Sequence, residues 1–129
     1  MSQMSEADIY PAIGEAGFAA LVAGFYQQIP TDDLLGPMYP ADDLPEAERR
    51  LRDFLVFRFG GPQRYIAERG HPRLRIRHAP FAIDHGARDR WIQLMFHSLD
   101  RCRLPAEVDR ILRQFFEQTA TFLINRPNP

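Results

Sequence analysis

From Arg69 to Phe81 the chain reads Arg-Gly-His-Pro-Arg-Leu-Arg-Ile-Arg-His-Ala-Pro-Phe. Arg73, Arg75 and Arg77 alternate with Leu74 and Ile76, and the run closes on His78 with Pro80 just beyond. A short helical or extended segment here would set apolar and cationic groups beside a ring nitrogen. An imidazole ligates metals, and planar guanidiniums bind carboxylates; together these are the groups that a haem with its two carboxylates requires. A charge run is also an ordinary solvated face, and taken alone the stretch reads either way.

Four segments carry helical periodicity, and none reads as strand. Between Glu15 and Ile29, Phe18, Leu21, Val22, Phe25 and Tyr26 fall on one face, and Pro30 stops the run. Residues 30–45 hold Pro30, Gly36, Pro37, Pro40 and Pro45, a long loop and so a candidate functional one. Pro45 suits the first turn of a second helix with Ala47, Leu51, Phe54, Leu55 and Phe59 inward, closed by Gly60. Asp84 can cap a third helix, with Trp91, Leu94, Met95, Leu99 and Cys102 on one face. Pro105 opens a fourth, from Val108 to Leu123, and Arg126-Pro127 ends it. The roughly two dozen residues from Gly60 to Ile83 have little apolar period, which a compact helical bundle rarely tolerates without something to wrap. A large flat ligand in the core accounts for them.

At 129 residues the chain fits one domain, with residues 1–8 expected as a poorly ordered extension. No apolar run approaches a membrane span, and the N-terminus lacks the pattern of a signal peptide, so the expectation is a cytoplasmic protein without a membrane partner. The single Cys102 rules out an intrachain disulfide and a multi-cysteine zinc site. Net charge is −1, but residues 1–48 hold nine acids and no lysine or arginine, whereas residues 49–81 hold nine arginines against Asp53 and Glu68. All sixteen basic residues are arginine, which excludes Schiff-base and P-loop lysine chemistry. The acidic first third and the near-neutral total argue against a nucleic-acid partner.

Phe25-Tyr26, Met38-Tyr39-Pro40, Gly60-Gly61-Pro62, the Arg69-to-Phe81 stretch and Arg88-Asp89-Arg90-Trp91, in that order and spacing, resemble the group II truncated haemoglobins. The resemblance runs from about Ile9 to Asn128. It implies an all-α, two-over-two helical sandwich enclosing haem b, with His78 as the proximal iron ligand. It places Arg50 and Arg77 near the haem propionates, with Arg73 and Arg75 second to them. Tyr26, Tyr39 and Trp91 fall on the family's three polar aromatics over the sixth coordination site. Ala47 stands where longer globins carry a distal histidine, and Leu51, Phe54, Leu55 and Phe81 complete the haem contacts. His71, His85 and His97 match no ligand position. Two departures stand out: Gly14-Glu15 replaces the usual glycine pair and leaves the path of the first helix open, and Phe59 stands where tryptophan often precedes Gly-Gly-Pro.

The expected function is reversible binding of dioxygen and other diatomic ligands, carbon monoxide and nitric oxide, as in an oxygen carrier. Three donors around the ligand favour slow release and a scavenging or redox role. A haem-dependent peroxidase or nitric-oxide-oxidising enzyme is the alternative. It would need an outside reductant, because no flavin or nicotinamide motif is present. Whether the chain forms a homodimer is left open.

Overall fold

A computed structural model describes residues 4–126. Its elements are α1 (Ile9–Tyr26), α2 (Leu44–Arg58), α3 (Arg64–Arg69), α4 (Leu74–His78), α5 (His85–Cys102) and α6 (Ala106–Phe122), with no strand among the described residues. Of the stretch expected as an extension, residues 1–3 lie outside the described residues. Ser5 donates its amide and its hydroxyl to the Asp8 carboxylate, at 2.8 and 3.0 Å, over a short 3₁₀ turn, Glu6–Asp8.

The first helix begins earlier than its apolar period does. Ile9–Ile13 form a short helical piece, and at Gly14 the backbone swings to φ 66°, ψ −175°, a region that only glycine adopts readily. One glycine therefore makes the bend, and Glu15 is freed to meet Arg64 at 2.6 Å. At the other end α1 stops at Tyr26, three residues before the expected Ile29. Gln28 and Ile29 bond instead to carbonyls three residues back, and the Gln28 side chain takes the Gly24 carbonyl at 2.9 Å.

The segment Glu6–Tyr26 is, by length and composition alone, long and apolar enough to cross a membrane, as a core helix can also be. Six of its residues are alanines. Its large side chains, Ile9, Phe18, Leu21, Val22 and Phe25, lie fully buried against the rest of the fold.

α1 packs on both α2 and α5, and α5 packs on α6, which pairs the first two long helices over the last two. The α1–α5 crossing is close because Gly24 presents no side chain to Ser98, whose hydroxyl donates to the Leu21 carbonyl at 2.7 Å. Phe18, Phe59, Phe115, Phe116, Trp91, Phe25 and Tyr26 form an unbroken series of ring contacts 4.9–6.0 Å apart. Aromatic edges and faces in this range contribute beyond their buried area.

α2 starts with Pro45 in its first turn and ends against Gly60, whose φ of 97° and contact with the Ala7 carbonyl admit no side chain. The cationic connection that follows is not wholly irregular. It holds α3 and α4, joined through Gly70 at φ 77° and Arg73 at φ 44°. Asp84 caps α5 by accepting from the Ala87 amide at 2.8 Å. α6 follows Pro105 and ends at Phe122, short of the expected Arg126-Pro127 stop, of which Pro127 lies outside the described residues.

Candidate functional site

A cavity of about 370 Å³ opens between the helix pairs, bordered by α1, α2, α5, α6 and the short α3 and α4. Its wall includes eleven of the residues singled out from the sequence: Tyr26, Tyr39, Ala47, Arg50, Leu51, Phe54, Leu55, Arg77, His78, Phe81 and Trp91. Arg73 and Arg75 are not among its lining residues, nor are His71, His85 and His97.

His78 is the last residue of α4, a helix of only five residues whose left-handed N-cap, Arg73, sets its direction. The His78 Nδ1 lies 2.7 Å from the Leu74 carbonyl and donates to it, which fixes both ring plane and tautomer. Nε2 then keeps its lone pair, with no hydrogen-bond partner among the described residues. A neutral imidazole held in this way is a metal-ligating group.

Behind the histidine lies a clamp that the sequence does not advertise. Asn125, just past α6, donates from Nδ2 to the carbonyls of His78 at 3.2 Å and Phe81 at 2.9 Å, and its Oδ1 accepts from the Ile83 amide at 2.9 Å. The Asn125 and Arg126 amides both donate to the Ile83 carbonyl. The loop after His78 is thus tied to the end of α6. Asn125→Ala removes three side-chain bonds in a half-buried setting, so it should destabilise the fold by about 1–3 kcal/mol and speed loss of any ligand held by His78. Denaturant unfolding checks the first effect. Unchanged stability and retention would reduce the clamp to a surface contact.

Tyr26, Tyr39 and Trp91 come from three elements. Tyr26 ends α1, Trp91 lies in the second turn of α5, and Tyr39 hangs from the loop between α1 and α2. That loop is positioned by Asp32, which accepts from the amides of Leu34 and Leu35 and pairs with Arg90 of α5 at 2.7 Å. The Tyr26 and Tyr39 rings meet edge to face at 5.8 Å. Burial pushes the Tyr26 phenol far above its ordinary range, with Tyr39 adding to the rise and Arg50 opposing it. Burial also pushes Tyr39 up to about 12, against the Trp91 indole N–H, which favours the phenolate.

Both phenols therefore stay protonated as donors at neutral pH. Since Tyr39 ionises near pH 10 when unfolded, its raised value adds stability that is present below about pH 10 and lost as pH rises through about 12. Subtracting an alkaline titration of Tyr39→Phe from that of the wild type isolates this group. A phenolate already formed near pH 10 would contradict the burial argument.

The guanidiniums of the rim are not equivalent. Arg50 pairs with Asp43 at 2.7 Å, and that bond holds the Asp43 carboxyl below its usual value. Arg77 donates from Nε to the Pro72 carbonyl at 2.6 Å and from Nη2 to the carbonyls of Arg69 and His71, so it braces the α3–α4 turn. Reading the sequence missed Arg69 and Tyr65, which also line the cavity. Arg69 and Arg77 both stack on the Tyr65 ring, at 5.9 and 5.7 Å. The only signal for them was their place inside the unexplained connection.

The wall is otherwise largely apolar, so the site joins one available imidazole nitrogen, three aromatic donors and a cationic rim. The chain matches the bacterial-like globin family over residues 8–125. It is 38% identical to a group 2 truncated haemoglobin of Bacillus subtilis (strain 168) over 117 residues, covering 91% of this chain and 88% of that protein. The fold superposes on a thermostable haemoglobin from Thermobifida fusca with a TM-score of 0.89 at 42% identity, covering 93% of this chain and 98% of that one. It superposes on the truncated oxygen-avid haemoglobin of Bacillus subtilis with a TM-score of 0.86 at 38% identity, covering 91% and 98%. A family match across nearly the whole chain, with an aligned fold and a cavity of this chemistry, shows that the chain belongs to the bacterial-like globins and, within them, to the group II truncated haemoglobins.

Proposed function

We propose that this protein holds haem b and binds dioxygen reversibly, along with carbon monoxide and nitric oxide, releasing dioxygen slowly enough to suit scavenging or redox work rather than delivery. The residues present fit the group. His78 offers Nε2 while Nδ1 is occupied, Leu51, Phe54, Leu55 and Phe81 offer apolar wall, and Arg50 with Arg69 offers cationic groups at the rim. When bound, the haem would supply the iron at which a diatomic ligand is taken up and released.

The observation that carries the reading is that an available imidazole nitrogen and three donors from separate elements share one cavity. Tyr26 and Tyr39 remain neutral donors because burial disfavours their phenolates. A ligand that gains negative charge on binding is stabilised by such donors in proportion to how well water is kept out. Ala47 contributes only room.

The test is an absorption spectrum of the purified protein when oxidised, when reduced, and under oxygen or carbon monoxide. A Soret band that moves with each ligand is the expected result. Aromatic absorption alone, with no uptake of added haemin, would end the proposal.

A further inference from the structure

Among the described residues, nine of the sixteen arginines stand in ion pairs. The others are not evenly spread. Arg69, Arg73, Arg75 and Arg77 follow one another along α3, the turn and α4, and none has a carboxylate partner among the described residues. Arg73 and Arg75 are exposed and lie outside the cavity wall. The Arg75 guanidinium lies 5.3 Å from the centre of the Phe122 ring.

Apolar side chains are exposed on the same two elements, α4 and the end of α6. Of the four large hydrophobic residues exposed among the described residues, Ile76 and Phe122 are two, at 69% and 57%, and a third, Phe81, borders the cavity. Asn125, three residues beyond Phe122, holds the Phe81 carbonyl and so joins the end of α6 to the loop after α4. An apolar centre beside unpaired charge is the anatomy of an interaction surface.

We propose that this patch, formed by α4, the loop after it and the end of α6, docks a small acidic one-electron-carrier protein that reduces the cofactor. The inference rests on the haem reading above. Ile76 lies two residues before His78 on the same five-residue helix, so a partner seated there sits beside the proposed iron ligand. In the exchange the carrier's reduced flavin or iron–sulfur centre loses one electron and ferric iron gains it; no bond is made or broken.

Charge decides among the other occupants. A second copy meeting this patch across a two-fold axis would bring arginine against arginine. A nucleic acid or an anionic membrane would face a protein of net charge −1 whose first 48 residues carry nine acids. A compact acidic protein can engage the patch alone. Small, electrostatically steered interfaces are also what brief electron-transfer encounters use.

The experiment titrates the holoprotein with oxidised flavodoxin as the acidic carrier, following backbone amide shifts and affinity at low and physiological salt. Shifts should centre on α4 and the end of α6, and affinity should fall steeply as salt rises. The paired change Arg73→Glu, Arg75→Glu should weaken binding by roughly tenfold or more, and Ile76→Ser by several-fold, with haem content and the carbon monoxide spectrum unchanged. Equal binding by the charge-reversed variant, or shifts confined to another face, would overturn the proposal. So would a wild-type dimer that Ile76→Ser dissociates, or tighter binding to phosphatidylglycerol vesicles than to flavodoxin. The spectrum of the same sample separates the two readings. Protein without haem fails both, whereas haem-loaded protein that ignores flavodoxin fails only the docking surface.

Discussion

His78→Ala should abolish stable haem retention, weakening it by more than roughly 100-fold, since disturbing only the groups behind a metal ligand already costs 10–100-fold. The argument rests on local geometry. α4 ends on this residue, its Nδ1 is held by the Leu74 carbonyl at 2.7 Å, and Nε2 has no other partner among the described residues. Added imidazole should restore part of the wild-type spectrum, because the cavity left by the side chain admits the free ring. His71, His85 and His97 are exposed and outside the cavity wall, so their alanine variants should keep haem. A native spectrum in His78→Ala, with loss in one of the other three, would transfer the ligand role to that residue.

The paired variant Tyr26→Phe, Trp91→Phe should speed oxygen release by roughly 5- to 150-fold. Each neutral hydrogen bond contributes about 0.5–1.5 kcal/mol, and two are removed. Phenylalanine keeps the ring contacts of Tyr26 with Phe25 and Tyr39, so that change isolates the hydroxyl. Trp91 contacts both Phe25 and Phe116, and its replacement also removes packing. The haem spectrum must therefore be intact before rates are compared. Single variants should each show roughly two- to thirteenfold, and their product should differ from the pair, because Tyr26, Tyr39 and Trp91 are close enough to reposition one another. Carbon monoxide, a poorer acceptor, should respond less. Stopped-flow dissociation decides the matter. Unchanged oxygen release from an intact holoprotein would leave these rings as packing alone.

Much of the helical frame was legible because burial imposes a period. Phe18, Leu21, Val22, Phe25 and Tyr26 recur at helical spacing, and all are buried on α1. Ala47, Phe54, Leu55 and Phe59 behave in the same way on and just beyond α2. Asp84 caps α5 with its own side chain, and the prolines opening α2 and α6 act through their fixed backbone, so all three are readable without distant partners.

Where the reading fell short, the deciding partner was distant. α1 runs back to Ile9 because Gly14 can take a conformation that joins two helical pieces, and Tyr10 then donates its amide to the Phe59 carbonyl at 3.0 Å. Asp53 occupies a core position on α2 despite its charge. It is 5% exposed, with Arg49 and Arg64 each at 3.5 Å, an arrangement that requires α3 to fold back over α2.

The sequence by itself determined the four long helices, the cationic segment ending on His78, and a resemblance that named eleven residues lining one cavity. Those features depend on spacing along one helix or on side-chain type, and both are written locally. Only the tertiary structure decided which arginines are engaged, with Arg77 turned to backbone carbonyls and Arg50 to Asp43. It also decided that Asn125 clamps the loop behind His78, and that Arg75, next to the exposed Ile76, lies over the Phe122 ring. The contacts of Asn125 with His78 and of Arg75 with Phe122 exist because packing the long helices brings the ends of α4 and α6 together, whereas Arg77 and Arg50 find their partners in turns whose geometry carries no periodic signal.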